Sequence, residues 1–97
     1  MTSLKGHIEA TYFELCEIFG EPTYLEPSGD GKINTEWEFN GYNWVGEETP
    51  ITIYDWKEYD GGVVSRSGEV YNWHIGGTEG CAVEIVNAKV EYYRKKS

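Results

Sequence analysis

From residue 32 to 39 the chain alternates strictly, with Ile33, Thr35, Trp37 and Phe39 on one side and Lys32, Asn34, Glu36 and Glu38 on the other. A period of two is the mark of a half-buried strand. Asn40-Gly41 then reads as a hairpin-type turn, and residues 42–49 read as an inserted loop. A second strand is expected from residue 50 or 51 to 56, with Ile51 and Ile53 on one side and Thr52, Tyr54 and Trp56 on the other. Both of its faces carry bulk. A third strand, 69–75, sets Tyr71, Trp73 and Ile75 against Val70, Asn72 and His74.

Elsewhere the period changes to three and four. Thr11 and Glu14 have the spacing of a capping box, and Tyr12, Leu15, Cys16 and Phe19 behind them fall on one helical face. Ile8 fits an upstream extension of that stripe, against which Gly6 counts, and Gly20 is expected to end the helix as a left-handed cap before Pro22. From 79 to 94 the apolar positions Ala82, Val83, Val86, Val90 and Tyr93 predict a second helix, whose negative end suits Arg94, Lys95 and Lys96. The prolines and glycines of 20–32 make a connector with its turn at residues 28–31, and 57–67 is the expected mobile loop.

These elements predict one domain over residues 1–97 and an α+β fold. The expected architecture is a small antiparallel meander of three to four strands packed by two helices, in the order α-β-β-β-α. The fourth strand arises if residues 42–45 pair.

Seventeen acidic residues against eight basic ones give a net charge of −9, and four Trp with eight Tyr lift the aromatic share to 15%. The rings separate this chain from a disordered acidic tail. The charge disfavours direct binding to nucleic acid or an anionic membrane and favours a basic protein groove or a cation. Cys16 and Cys81 lie far apart within apolar helical patterns and read as reduced core residues. The opening residues lack the apolar region of a signal peptide, and no apolar run approaches a bilayer span, so a cytosolic setting is expected.

Catalytic spacings are missing: there is no Gly-x-Ser-x-Gly, Walker loop, His-Glu-x-x-His or Cys-x-x-Cys. With His7 and His74 the only imidazoles, a zinc site is not expected, and Asp30 lacks the alternating acids of a calcium loop. Asp55 and Asp60 could serve a magnesium ion, but acidic residues near a turn are usually solvated. No catalytic residue, metal ligand or cofactor is therefore assigned.

The richest stretch is Trp73-His74-Ile75-Gly76-Gly77-Thr78, read as a strand entering a helix through two glycines. One reading makes it a tight turn with Thr78 as N-cap. The other makes its amides an anion seat, because the first N–H groups of a helix lack partners. On the second reading the candidate ligand-binding residues are Tyr54, Trp56, Lys57, Trp73, His74, Gly76, Gly77 and Thr78: rings for stacking, a cation, an imidazole and free amides.

Gly20-Glu21-Pro22-Thr23, Ile53-Tyr54-Asp55-Trp56-Lys57 and Trp73-His74-Ile75-Gly76-Gly77 together resemble a family of small phage-encoded proteins. The 42–49 insertion departs from that family's pattern. The resemblance implies a phage accessory protein working in the host cytoplasm against host defence. The leading expectation is a protein that binds and sequesters a nucleotide-derived immune signal. The alternative is an acidic protein–protein inhibitor, such as an anti-CRISPR or anti-restriction DNA mimic, that occupies a basic groove with Glu36, Glu38, Glu47, Glu48, Glu58 and Asp60. A third reading treats the aromatic motifs as core of a structural or regulatory phage component. The partner is thus a nucleotide-like small molecule or a host defence protein, with homo-oligomerisation left open.

Overall fold

The computed structural model describes residues 3–24, 35–56, 66 and 68–96. Strand β1 (Ser3–Ala10) leads into helix α1 (Tyr12–Phe19), followed by β2 (Glu36–Tyr42), β3 (Glu48–Tyr54), β4 (Tyr71–Gly77) and helix α2 (Cys81–Lys96). The four strands form one antiparallel sheet in the order β1-β4-β3-β2. The α+β class, the meander and the two helices are those expected.

The fourth strand, however, is not 42–45 but β1, so the chain begins with a strand and Ile8 belongs to it rather than to an extended first helix. Ile8 pairs with Trp73 and Ala10 with Tyr71, while a register shift between Leu4 and Gly6 bends the strand's start. Thr11 ends the strand and starts the helix. Its side chain accepts from the Glu14 amide at 3.0 Å and Glu14 Oε1 accepts from the Thr11 amide at 3.1 Å, the expected capping box. Gly20 closes the helix with φ 84° and its amide on the Cys16 carbonyl, but ψ is −166°, extended rather than left-handed helical.

The expected turn at Asn40-Gly41 does not form there. Asn40 pairs with Pro50 and Gly41 with Thr49, so β2 continues to Tyr42. Gly41 answers a packing need instead: a Cβ on it would lie 2.8 Å from Ile51 Cδ1 and 3.1 Å from Ile85 Cδ1. The actual turn spans 43–47, where the Asn43 side chain accepts from the amides of Val45 and Glu47 and Gly46 takes φ 82°.

Gly76 and Gly77 are likewise strand residues, with Leu4 and Thr52 flanking Gly76 and Ser3 and Ile51 flanking Gly77. Thr78 is not the N-cap of α2. Its hydroxyl lies 3.3 Å from that of Thr49, and the helix starts through amides of Ala82 and Val83 on the carbonyls of Glu79 and Gly80.

One face of the sheet carries both helices and the core. Trp37, Ile51, Ile53, Trp73 and Ile75 meet Leu15 of α1 and Ala82, Val86 and Val90 of α2, all buried. Trp37 and Trp73 pack edge to face at 5.2 Å, and each indole N–H is satisfied, Trp37 by Gly20 O at 2.9 Å and Trp73 by Ala10 O at 3.0 Å. Cys81 is buried and Cys16 half-buried, both as free thiols. Arg94 ties the end of α2 back to Glu14 at 3.0 Å and to the Glu9 carbonyl at 2.9 Å. Among the described residues no helix is long and apolar enough to cross a membrane.

Candidate functional site

Cross-strand partners share a face of a sheet, and one row crosses all four strands on the side away from the helices. His7 stands opposite His74, His74 opposite Tyr54, and Tyr54 opposite Glu36. The alternation that sends Ile8, Trp73, Ile53 and Trp37 into the core sends these four out. Trp56, just past β3, joins them.

Their rings touch. His7 and His74 lie edge to face at 4.5 Å, Tyr54 and His74 at 5.5 Å, Tyr54 and Trp56 at 6.1 Å, and Trp56 and His74 at 6.2 Å. Next to Glu36 on β2, Glu38 faces the same way, and Tyr24 runs alongside through a bridge to Glu36 with backbone bonds of 2.9 and 3.0 Å. Asp55, fully buried behind the row, accepts from the Thr35 amide at 2.9 Å. That bond fixes the ends of β2 and β3 and makes Asp55 a structural acceptor; Asp60 lies outside the described residues.

The acidic groups of the row are crowded together. Burial, then Glu38, then Asp55 push the Glu36 carboxyl above its usual range. Burial and Glu36 raise the Tyr54 phenol, and the exposed Tyr24 hydroxyl is raised by its hydrogen bond to Glu38. Burial and then His7 lower His74 from its usual 6.5, against a smaller opposing effect of Asp55, so it is a neutral imidazole at pH 7. Rings, a neutral His74 and crowded carboxylates suit a planar or aliphatic cation, which stacks on the rings and relieves the repulsion among Glu36, Glu38 and Asp55. Among the described residues, no Lys or Arg stands in the row to meet a phosphate. Among the described residues no three His, Cys, Asp or Glu side chains are grouped to hold a metal ion.

Of the eight sequence-based candidates, the structure brings Tyr54, Trp56 and His74 together. Trp73 is a correction: it is fully buried on the opposite face and has no surface left for stacking. Gly76 and Gly77 are a correction too, because both are buried in the middle strand, flanked by β1 and β3, and their amides face those strands instead of a helix terminus. Thr78 is exposed but sits four residues beyond His74, roughly 13 Å along a strand. Lys57 lies outside the described residues. The residue missed was His7. Its signal was present in the alternation of Lys5, His7 and Glu9 with Gly6, Ile8 and Ala10.

No known protein family, curated protein or solved structure matches this chain. The fold and the row by themselves therefore define an α+β protein with an acidic, aromatic face on its sheet.

A base with a lowered folded pKa binds fewer protons folded than unfolded, so its contribution to stability is complete above 6.5 and is lost as pH falls below it. Melting curves of parent and His74→Gln from about pH 7.5 to about pH 5.5 should show the parent's advantage shrinking on acidification. A constant difference would mean that His74 titrates as it does in the unfolded chain.

Proposed function

We propose that this protein acts by binding, with the acidic and aromatic face of its sheet set into a basic groove of a partner protein. The supporting observation is the row itself: three rings and a carboxylate from four strands converge with a neutral His74 at the centre, which is a cradle for arginine or lysine side chains. The net charge of −9 adds steering toward a basic surface. The resemblance to small phage-encoded proteins suggests a host defence protein as the partner, with the sheet face occupying a groove that ordinarily takes nucleic acid. The nucleotide-sequestering alternative keeps its rings but has no amide seat in the described structure.

Both readings can be tested on the same surface. In an NMR titration, a short arginine-rich peptide should shift Tyr54, Trp56, His74 and Glu36, whereas AMP and a cyclic dinucleotide should leave them unmoved. Glu36→Gln combined with Glu38→Gln should weaken peptide binding by about tenfold and flatten its salt dependence. Shifts at the same residues with a nucleotide and none with the peptide would replace this reading with the sequestering one.

A further inference from the structure

The hairpin tip between β2 and β3 exposes Trp44 and Val45 at 79% and 76%, beside exposed Tyr42. This apolar knob is rigidly built. Asn43 Oδ1 accepts from the amides of Val45 at 3.1 Å and Glu47 at 2.9 Å, the Gly46 amide bonds back to Asn43 O, and Asn43 Nδ2 donates to the Glu79 carboxylate at 3.1 Å. A tip held by its own side chain presents its indole at little ordering cost. Glu47 and Glu48 flank it with negative charge.

At the other end of α2 lies the complement. A groove of about 360 Å³ between α1 and the last turns of α2 is lined by Ile18, Ala88, Tyr92 and Tyr93, with Lys89 and Lys96 at its rim. Lys96 Nζ stands 5.2 Å from the Tyr92 ring centre. The charged residues that line the groove, Lys89 and Lys96, are both basic in an acidic chain. The groove is large enough for an indole, its tyrosines offer edges and faces for one to pack on, and its lysines carry the charge opposite to that of Glu47 and Glu48.

Knob and groove cannot meet within one molecule. Glu79 anchors the knob just ahead of α2, while the groove is lined by the second half of the helix, from Ala88 to Lys96, roughly 10–22 Å along its axis from Cys81. We infer that the knob of one copy inserts into the groove of a second copy, giving a head-to-tail self-association through Trp44 and the Lys89–Tyr92–Lys96 groove. The contact is heterologous, so each copy keeps one knob and one groove open for the next. The sheet face with Tyr54 and His74 takes no part and stays available, so this inference stands or falls apart from the binding role proposed above.

Sedimentation velocity tests it with the protein alone. The parent's mean mass should rise between about 10 µM and about 1 mM, the behaviour of a small, reversible interface. Trp44→Ala, and separately Lys89→Glu with Tyr92→Ala, should each stay at the 11.1 kDa monomer mass with unchanged circular dichroism. These substitutions lie on the surface and leave the core intact. An equimolar mixture of the two variants should then form a 1:1 heterodimer and grow no further, because one supplies only the groove and the other only the knob. A monomeric parent throughout, association that survives Trp44→Ala, or a mixture that remains monomeric would each overturn the inference.

Discussion

Trp73→Ala is expected to remove about 3–5 kcal/mol of stability, the usual cost of truncating a buried aromatic side chain. Trp73 is fully buried in β4, a middle strand of the sheet, packs against Trp37 at 5.2 Å and Tyr71 at 4.9 Å, and spends its indole N–H on the Ala10 carbonyl. Alanine leaves a cavity between the helices and the sheet and strands that carbonyl at the junction of β1 and α1. For a domain of this size such a loss lowers the melting temperature by on the order of 20 °C, out of a total stability of about 5–15 kcal/mol. Thermal and urea melts followed by far-UV circular dichroism measure it. A shift of only about a degree or two, well under 1 kcal/mol, would mean that Trp73 is not in the core.

The second large effect is expected at Gly77, through packing. A Cβ there would lie 2.9 Å from Ala82 Cβ, 3.3 Å from the Pro50 carbonyl and 3.5 Å from the Glu79 carbonyl. Two of these neighbours are backbone and the third is the first turn of α2, so relief requires lifting the helix off the strand. Gly77→Ala should therefore cost about 1–3 kcal/mol, as overpacking of a tight core does. Had Gly77 formed a phosphate seat at a loop, the same change would have spared stability and harmed ligand binding. Adding Ala82→Gly should recover part of the loss, since it removes the closest atom. An unchanged urea midpoint in Gly77→Ala would contradict the strand position of this residue.

Local signals were legible wherever neighbouring residues decide the structure. The capping box at Thr11 and Glu14 needs only four residues to form, and the alternation of Thr35, Trp37 and Phe39 against Glu36 and Glu38 needs only the pleat. β1 was harder to read. Its alternation from Lys5 to Ala10 is as regular as that of β2, but Gly6 interrupts it and Ile8 also falls at helical spacing from Tyr12 and Leu15. The ambiguity ends only when Ile8 is placed opposite Trp73, 65 positions on. Missing β1 meant missing His7, and with it the row that crosses the sheet.

Glycines misled for a related reason. Asn40-Gly41 and Gly76-Gly77 carry turn chemistry, yet each glycine sits in a strand because something else needs the space: Ile51 and Ile85 above Gly41, Ala82 above Gly77. A missing side chain looks the same in sequence whether it frees the backbone or admits a neighbour. The sequence by itself determined the class of fold, the two helices, the three strands of the meander and the acidic character of the chain, because these follow from period, capping and composition. Only the tertiary structure decided that β1 pairs with β4, that His7, His74, Tyr54 and Glu36 form one row, and that Trp44 and the Lys89–Lys96 groove stand at opposite ends of α2. Such placements depend on which distant segments pair, and no local pattern encodes a partner tens of residues away.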